Sequence, residues 1–278
     1  MSLTPFQTRY GQPVTVPNIE PSELIARQLT RVSIRIFDNV PLPDGMLELL
    51  LASAQSSPSS GMLQTWSVIA LTNTEAKLKL LSDPYMYKVI GNIDSYNYNA
   101  INTCAVFLIW LADLHKIDVI LKNSKCEENI ENQIDLAEYH LKAIIDATIA
   151  AQTFYMSAES MGLAGTYIGA IRQLPIDSFI KNFNLPKYTF PLFGMAIGYP
   201  GTYTGVKPRL PADLMLHHST YKEMNGIEDL GEYQEKHKKL FHNSQSITFS
   251  ERVIERLSPS WSKSSIGNAL KKMGFTFK

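Results

Sequence analysis

A chain of 278 residues with 45% hydrophobic content is long enough to bury one large core or two small ones. Its 26 basic and 26 acidic side chains cancel, which argues against a general nucleic-acid binder, and 19% charged with 10% aromatic residues is not the composition of a disordered segment. Two cysteines, Cys104 and Cys126, argue against a disulfide framework or a multi-cysteine zinc site and fit a reducing compartment. The N-terminus shows no apolar stretch behind a basic start, and the longest apolar run, Cys104 to Ala112, falls well short of the roughly 18 residues of a membrane span. The expectation is a soluble cytoplasmic protein with no nucleic-acid or membrane partner.

Residues 1–19, with Pro5, Pro13 and Pro17, read as an extended polar arm. A first helix is predicted to open at Glu20-Pro21-Ser22-Glu23, with Pro21 suited to the first turn. A second follows Pro43-Asp44 and runs through Met46 to Ala52, until the small polar residues of Gln55 to Gly61 break it. Trp66 to Leu71 is a strand by its β-branched and aromatic content, Thr74 to Leu81 a helix, and 85–102 a loop with some helix. Cys104 to Ala112 is the strongest strand, and 116–133 shows no definite period. Leu136 to Met161 is the clearest helix: Glu138 and Lys142 pair at i,i+4, Ala143 to Ala151 is apolar nearly all round, and Gly162 supplies the C-cap.

A glycine-containing strand-to-turn segment, Gly165 to Arg172, comes next, then a short helix from Pro175 to Phe183 and a buried strand from Phe190 to Gly198. Few strands separated by helices indicate an α+β fold with a helix-flanked sheet rather than a regular βαβ repeat. After Gly198, residues 199–218 read as loop, and 220–278 as a polar, largely helical excursion in which Glu235 to Lys239 is a solvated helix face. The predicted organisation is therefore an arm (1–19) and a single domain (20–278) whose last part, about 220–278, is that excursion.

Four segments carry candidate chemistry. In Arg31-Val32-Ser33-Ile34-Arg35, alternate side chains of an extended stretch would put two guanidinium groups and a hydroxyl on one side, a set that matches phosphate oxygens. Taken alone, the segment reads better as a surface turn whose arginines pair with acids. Pro58 to Trp66 is small and polar enough for backbone to approach a ligand, or simply a helix-to-strand loop. Gly165 to Arg172 exposes backbone N–H groups to a ring acceptor, or merely ends a buried strand. In Lys207-Pro208-Arg209, proline stiffens a pair of cations, or the segment is an exposed basic loop. The six histidines have no metal-ligand spacing, and GxSxG, Walker and GxGxxG patterns are absent. Cys104 lies inside an apolar strand and reads as inert filler, while Cys126, beside Lys125 and Glu127, reads as exposed without an evident partner.

In this order the segments resemble the nitroreductase family of flavoproteins, in particular its NADPH-flavin oxidoreductase and oxygen-insensitive major nitroreductase branch. The matching motifs are Arg31 to Arg35, the serine-rich Pro58 to Gln64, Tyr167-Ile168-Gly169-Ala170-Ile171-Arg172, Pro191 to Gly194 and Lys207-Pro-Arg-Leu-Pro211, within about residues 22–275. The resemblance implies an intertwined homodimer of α+β subunits with a central antiparallel-rich sheet and FMN bound at the interface, helix 136–161 packing on its symmetry mate. It implies that Arg31, Val32, Ser33, Ile34 and Arg35 hold the FMN phosphate and ribityl side, with Arg35 reaching toward the pyrimidine edge. Lys207 and Arg209 would complete a phosphate clamp, and Ser59 and Ser60 would come from the second subunit. The backbone of Tyr167, Ile168, Gly169 and Ala170 would face the flavin, and Asn97 stands near a family glutamine that touches the ring.

The implied activity is ping-pong hydride transfer from NADPH or NADH through FMN to a nitroaromatic, a quinone or free flavin, with the hard chemistry supplied by the cofactor and no catalytic side chain or metal required. Cations near the ring would also raise its reduction potential. Alternatives on the same scaffold are dehalogenation or flavin breakdown; others are a flavin-binding protein without turnover and an interaction protein with no ligand. Arg31 replaces a family histidine, Val32 a family arginine and Ala170 a family glycine. The stretch Asn243 to Thr248 lacks the arginines with which the branch grips NADPH, which brings NADH into play, and the N-terminal arm is extra to the family pattern.

Overall fold

The protein is described by a computed structural model covering residues 4–10, 18–91, 93, 95–124, 127, 130, 132–239, 246–258 and 266–278. Several of its helices begin where a short polar side chain caps them. Within the arm, Pro5–Tyr10 (α1) is helical rather than extended. Thr4 Oγ1 accepts from the Gln7 N–H and Gln7 Oε1 from the Thr4 N–H, both at 3.2 Å, a reciprocal cap with proline at the first helical position. The next helix, Glu23–Thr30 (α2), starts one cap later than expected: Ser22 Oγ accepts from the Ile25 N–H, and Pro21 precedes the helix.

Met46–Gln55 (α3), Trp66–Leu71 (β1) and Thr74–Leu81 (α4) follow as predicted. The stretch 85–102 resolves into Met86–Ile90 (α5) and Tyr96–Thr103 (α6), the latter capped by Ser95. Val106–Asp113 (β2) begins only after Cys104, which belongs to the end of α6. His115–Asn123 (α7) occupies the first part of the stretch 116–133, and Cys126 lies outside the described residues. Ala137–Ser160 (α8) is the longest helix described and ends at Gly162, whose φ of 80° suits only glycine comfortably. Ala164–Ile168 (β3), a tight turn at Gly169–Gln173, Ile176–Phe183 (α9) and Thr189–Gly198 (β4) complete the middle of the chain. Tyr233–Lys238 (α10), Phe249–Leu257 (α11) and Ile266–Lys272 (α12) close it.

The four strands form one antiparallel sheet in the order β1-β2-β4-β3, so the fold is α+β with the strand polarity expected. Every residue of β2 is buried, because the strand is flanked on both edges and covered on both faces. One face receives α8: Ala147, Ala150, Ala151, Phe154 and Tyr155 line it, and Ala150, Ala151 and Phe154 pack in the core that holds Trp110, Leu108 and Met195. Alanines keep the helix close to the sheet, and Phe154 meets Trp110 edge-on at 5.8 Å. On β4, a Cβ at Gly194 would stand 2.2 Å from Cζ of Phe107, so glycine there makes room for a fully buried ring on the neighbouring strand.

The chain divides into two compact units, residues 33–203 with 264–278 and residues 1–32 with 204–263. In the first, the final segment docks beside α8. Tyr188 donates its N–H to the Met273 carbonyl at 2.7 Å and Ala137 donates to the Lys278 carbonyl at 3.0 Å. Phe277 donates its N–H to Nδ1 of the buried His140 at 3.2 Å, with the rings of Phe275 and Phe277 each 5.0 Å from the imidazole, and burial holds the His140 pKa below the ordinary histidine value. In the second, Tyr233, His237 and Phe249 form an aromatic cluster joining α10 to α11.

Gly194→Ala is expected to lower the unfolding free energy by about 1–3 kcal/mol through overpacking against Phe107. Urea denaturation against wild type measures it, and an unchanged midpoint contradicts the packing described.

Candidate functional site

In the unit formed by residues 1–32 and 204–263, three of the sequence-selected cations meet through the arm. At the end of α2, Arg31 leaves in an extended conformation with φ −58° and ψ 144°. The Arg9 guanidinium of α1 donates to the carbonyls of Leu29 (2.9 Å), Gln28 (3.2 Å), Arg31 (2.9 Å) and Lys207 (3.1 Å). The Arg9 carbonyl accepts from the Arg209 N–H at 3.1 Å. Arg209 Nη1 donates to the Lys207 (3.0 Å) and Pro208 (3.2 Å) carbonyls and forms no ion pair among the described residues. The backbones of Arg31, Lys207 and Arg209 are thus gathered at one place.

In the unit formed by residues 33–203 and 264–278, the continuation of the same segment runs beside β3. Ile34 donates its N–H to the Gly165 carbonyl at 3.0 Å, and that oxygen also receives the Tyr155 hydroxyl at 2.7 Å. Ile34 and Phe37 are buried, while Ser33 and Arg35 are half-buried. Burial holds the Arg35 pKa below the ordinary arginine value, partly offset by the Tyr96 and Tyr155 hydroxyls. Its guanidinium has one intramolecular bond, a long one of 3.4 Å to the Ser33 carbonyl, and no carboxylate partner among the described residues. A desolvated cation with donors to spare is a ready anion or carbonyl binder. Tyr96 and Asn97 open α6, so the start of that helix comes near Arg35.

The Tyr167 ring is occupied within the protein: it stacks on Tyr155 at 5.4 Å, meets Phe193 edge-on at 5.2 Å, and its hydroxyl donates to Gln152 at 3.1 Å. Gly169 and Ala170 start the turn after β3, and no side chain caps it. The first N–H groups of such a turn have no acceptor within it. A Cβ on Gly169 would lie 3.1 Å from the Arg172 guanidinium, whose Nη1 bonds to the Leu192 carbonyl.

The serine loop is anchored by a carboxylate that the sequence reading passed over. Asp146, 1% exposed in the middle of α8, accepts from the Ser60 N–H (3.0 Å), the Ser60 hydroxyl (3.0 Å) and the Thr65 hydroxyl (2.9 Å). The Ser60 hydroxyl proton is therefore committed internally, whereas Ser59 Oγ accepts from the Gln64 N–H at 3.3 Å and keeps its own proton for another partner. Gly61, Met62 and Gln64 all take positive φ (61°, 57° and 52°), a costly conformation for the two non-glycine residues. The signal in the sequence was a lone aspartate in the apolar run Ala143 to Ala151, since a buried carboxylate must be satisfied. Arg9 and Tyr155 were likewise missed, because their partners are backbone carbonyls that side-chain spacing does not reveal.

No group of three or more His, Cys, Asp or Glu side chains able to hold a metal occurs among the described residues. Cys104 is buried and its thiol is pushed up to about 12 by burial, which suits inert filler. No helix among the described residues is long and apolar enough to cross a membrane.

Comparison with known proteins settles the family. The family model described as "Nitroreductase family" matches residues 29–199, and "Nitroreductase family, C-terminal domain" matches residues 207–278. The chain belongs to the nitroreductase family. It is 31% identical over 257 residues to a Cr(VI) reductase of Pseudomonas sp. (strain G-1), spanning 88% of this chain and 96% of that one. It is 30% identical over 235 residues to the NADPH-flavin oxidoreductase of Vibrio harveyi, spanning 82% and 88%. Among solved structures, NfrA1 of B. megaterium superposes with a TM-score of 0.81 at 29% identity over 92% of this chain and all of that one. The V. harveyi NADPH:FMN oxidoreductase complexed with NAD+ gives 0.75 at 28% identity over 92% of this chain and all of that one.

The donors present fit the flavin mononucleotide that the nitroreductase resemblance implies. In one unit, the cations Arg31, Lys207 and Arg209 have the chemistry to suit a phosphate dianion; in the other, taken by itself, Arg35 and the uncapped N–H groups of Gly169 and Ala170 have the chemistry to suit acceptor atoms of a flavin ring.

Asp146→Ala leaves the Ser60 N–H and two hydroxyls unpaired, and is expected to cost about 1–3 kcal/mol of stability and to speed amide exchange at Ser60 by at least about tenfold. Hydrogen-exchange mass spectrometry checks this, and an unchanged rate at Ser60 contradicts the anchor.

Proposed function

We propose that this chain is an FMN-dependent NAD(P)H oxidoreductase that reduces nitroaromatics, quinones or free flavin. The observation that carries the reading is a half-buried guanidinium at Arg35 without an acid partner among the described residues, in a chain matched to the nitroreductase family over residues 29–199 and 207–278. The relatives named as an NADPH-flavin oxidoreductase and as an FMN reductase (NADPH) support the same cofactor and donor for this chain.

Bound FMN would supply two-electron transfer between a nicotinamide and the acceptor. The protein's own part is binding and electrostatics. Arg31, Lys207 and Arg209 would offset a phosphate charge of nearly −2. Ser33 would lie on the ribityl side and Arg35, fixed through the Ile34 bond to Gly165, would reach the ring's pyrimidine edge, where its positive charge favours an electron-rich ring. The N–H groups of Gly169 and Ala170 would donate to the ring, with the Tyr167 backbone beside them. Asn97, at the start of α6, would border the ring, and Ser59 would contact the cofactor through its uncommitted hydroxyl proton. Ser60 is assigned to the same contact through its remaining acceptor capacity.

The reading includes a homodimer. On α8, Leu141, Ile145 and Ile149 are 48%, 50% and 38% exposed at i, i+4 and i+8, one apolar stripe opposite the face that packs on the sheet. A second copy covers such a stripe isologously. The arm 1–19, the domain 20–278 with its excursion, and a cytoplasmic setting complete the proposal. The stretch Asn243 to Gln245 lies outside the described residues, so donor choice rests on kinetics.

Anaerobic stopped-flow mixing of the FMN-loaded protein with NADPH and, separately, NADH is expected to bleach the bound flavin on the order of 1–10³ per second with at least one of the two. Absence of bleaching with both overturns the oxidoreductase assignment and favours a flavin-binding protein without turnover. Ile145→Asp is expected to shift the protein from dimer to monomer in light scattering, and an unchanged mass contradicts the α8 interface.

A further inference from the structure

The family model begins at residue 29, so α1 is an element of this chain outside the matched region, and its Arg9 touches both pieces of the basic cluster. We propose that Arg9 is a positioning residue for the cofactor phosphate, a device that holds Arg31 in register with Lys207 and Arg209; the proposal rests on the reading of those three cations given above.

The geometry supports this in three ways. First, the two segments that Arg9 joins are far apart in sequence, and its guanidinium reaches a carbonyl on each, Arg31 O at 2.9 Å and Lys207 O at 3.1 Å. The Arg209 N–H returns a bond to the Arg9 carbonyl at 3.1 Å, so both ends of the Lys207-Pro208-Arg209 turn are tied to one residue. Second, the carbonyls of Gln28 and Leu29 belong to the last turn of α2, which lacks intrahelical donors and carries the negative pole of the helix. Arg9 satisfies them, which ends α2 where Arg31 must depart. Third, a fourth cation beside Arg31, Lys207 and Arg209 would repel them unless its charge were spread over acceptors. Arg9 directs its fork at four carbonyls, an arrangement open to a planar guanidinium with five donors and closed to a lysine ammonium.

FMN and riboflavin differ only in the phosphate, so the ratio of their dissociation constants isolates the phosphate contacts. The apo forms of wild type, Arg9→Ala, Arg9→Gln, Arg9→Lys and Arg209→Ala are titrated with each flavin by fluorescence quenching, with far-ultraviolet circular dichroism and thermal unfolding as controls. Arg209→Ala is expected to lose most of the preference for FMN over riboflavin. Arg9→Ala and Arg9→Gln are expected to reduce it by about tenfold with riboflavin affinity within about twofold of wild type, and Arg9→Lys to recover less than half of the loss. A wild-type ratio in both Arg9→Ala and Arg9→Gln, with the ratio collapsed in Arg209→Ala, overturns the role of Arg9 and leaves the cofactor reading standing. A wild-type ratio in Arg209→Ala overturns the cofactor reading itself. Equal losses for both flavins, or full recovery in Arg9→Lys, also overturn the role of Arg9, the first by showing a general structural contribution and the second by showing that charge alone suffices.

Discussion

The seating of α8 on the sheet is the contact from which the rest of the larger unit is hung. Its alanine face admits close approach to β2 and β4, and burying that face orders the whole helix. The remaining positions then become fixed points. Asp146 holds the serine loop, Tyr155 and Gln152 hold β3 through Gly165 and Tyr167, and Leu141, Ile145 and Ile149 look away from the core. A helix with one apolar stripe would serve the core alone; α8 carries a second, exposed one in Leu141, Ile145 and Ile149.

The cations singled out in the two units are held in two different ways, and the difference follows from solvent. Lys207 and Arg209 are exposed, so their charge is well hydrated and only their backbone needs fixing, which the arm supplies. Arg35 is half-buried and carries a desolvation penalty with no acid among the described residues to relieve it. An acid there would neutralise the cation and remove the very property that a carbonyl-rich ring edge can use.

Much of the fold was legible because periodicity and punctuation agree. β1 and α4 have the boundaries expected from Trp66 to Leu71 and Thr74 to Leu81, and the stop at Gly162 follows from its positive φ. The misses have physical reasons. Prolines in the arm suggested extension, yet Pro5 between Thr4 and Gln7 sits in a reciprocal cap that favours a turn of helix. The stretch 85–102 hides two short helices, since five and eight residues give little room for a period to show. Among the candidate site residues, Arg31, Lys207 and Arg209 stand out as charged side chains in short motifs. Arg9 acts on carbonyls, which every residue carries, and no spacing of side chains marks them out.

The segment 264–278 belongs to the same compact unit as residues 33–203, although residues 204–263 intervene. Ala269, Met273 and Phe275 are core residues there, and the Tyr188 and Ala137 amides find their acceptors only on this late segment. During synthesis, then, the larger unit emerges from the ribosome with a gap in its interior. Its core is completed only once the intervening stretch and the final segment have followed.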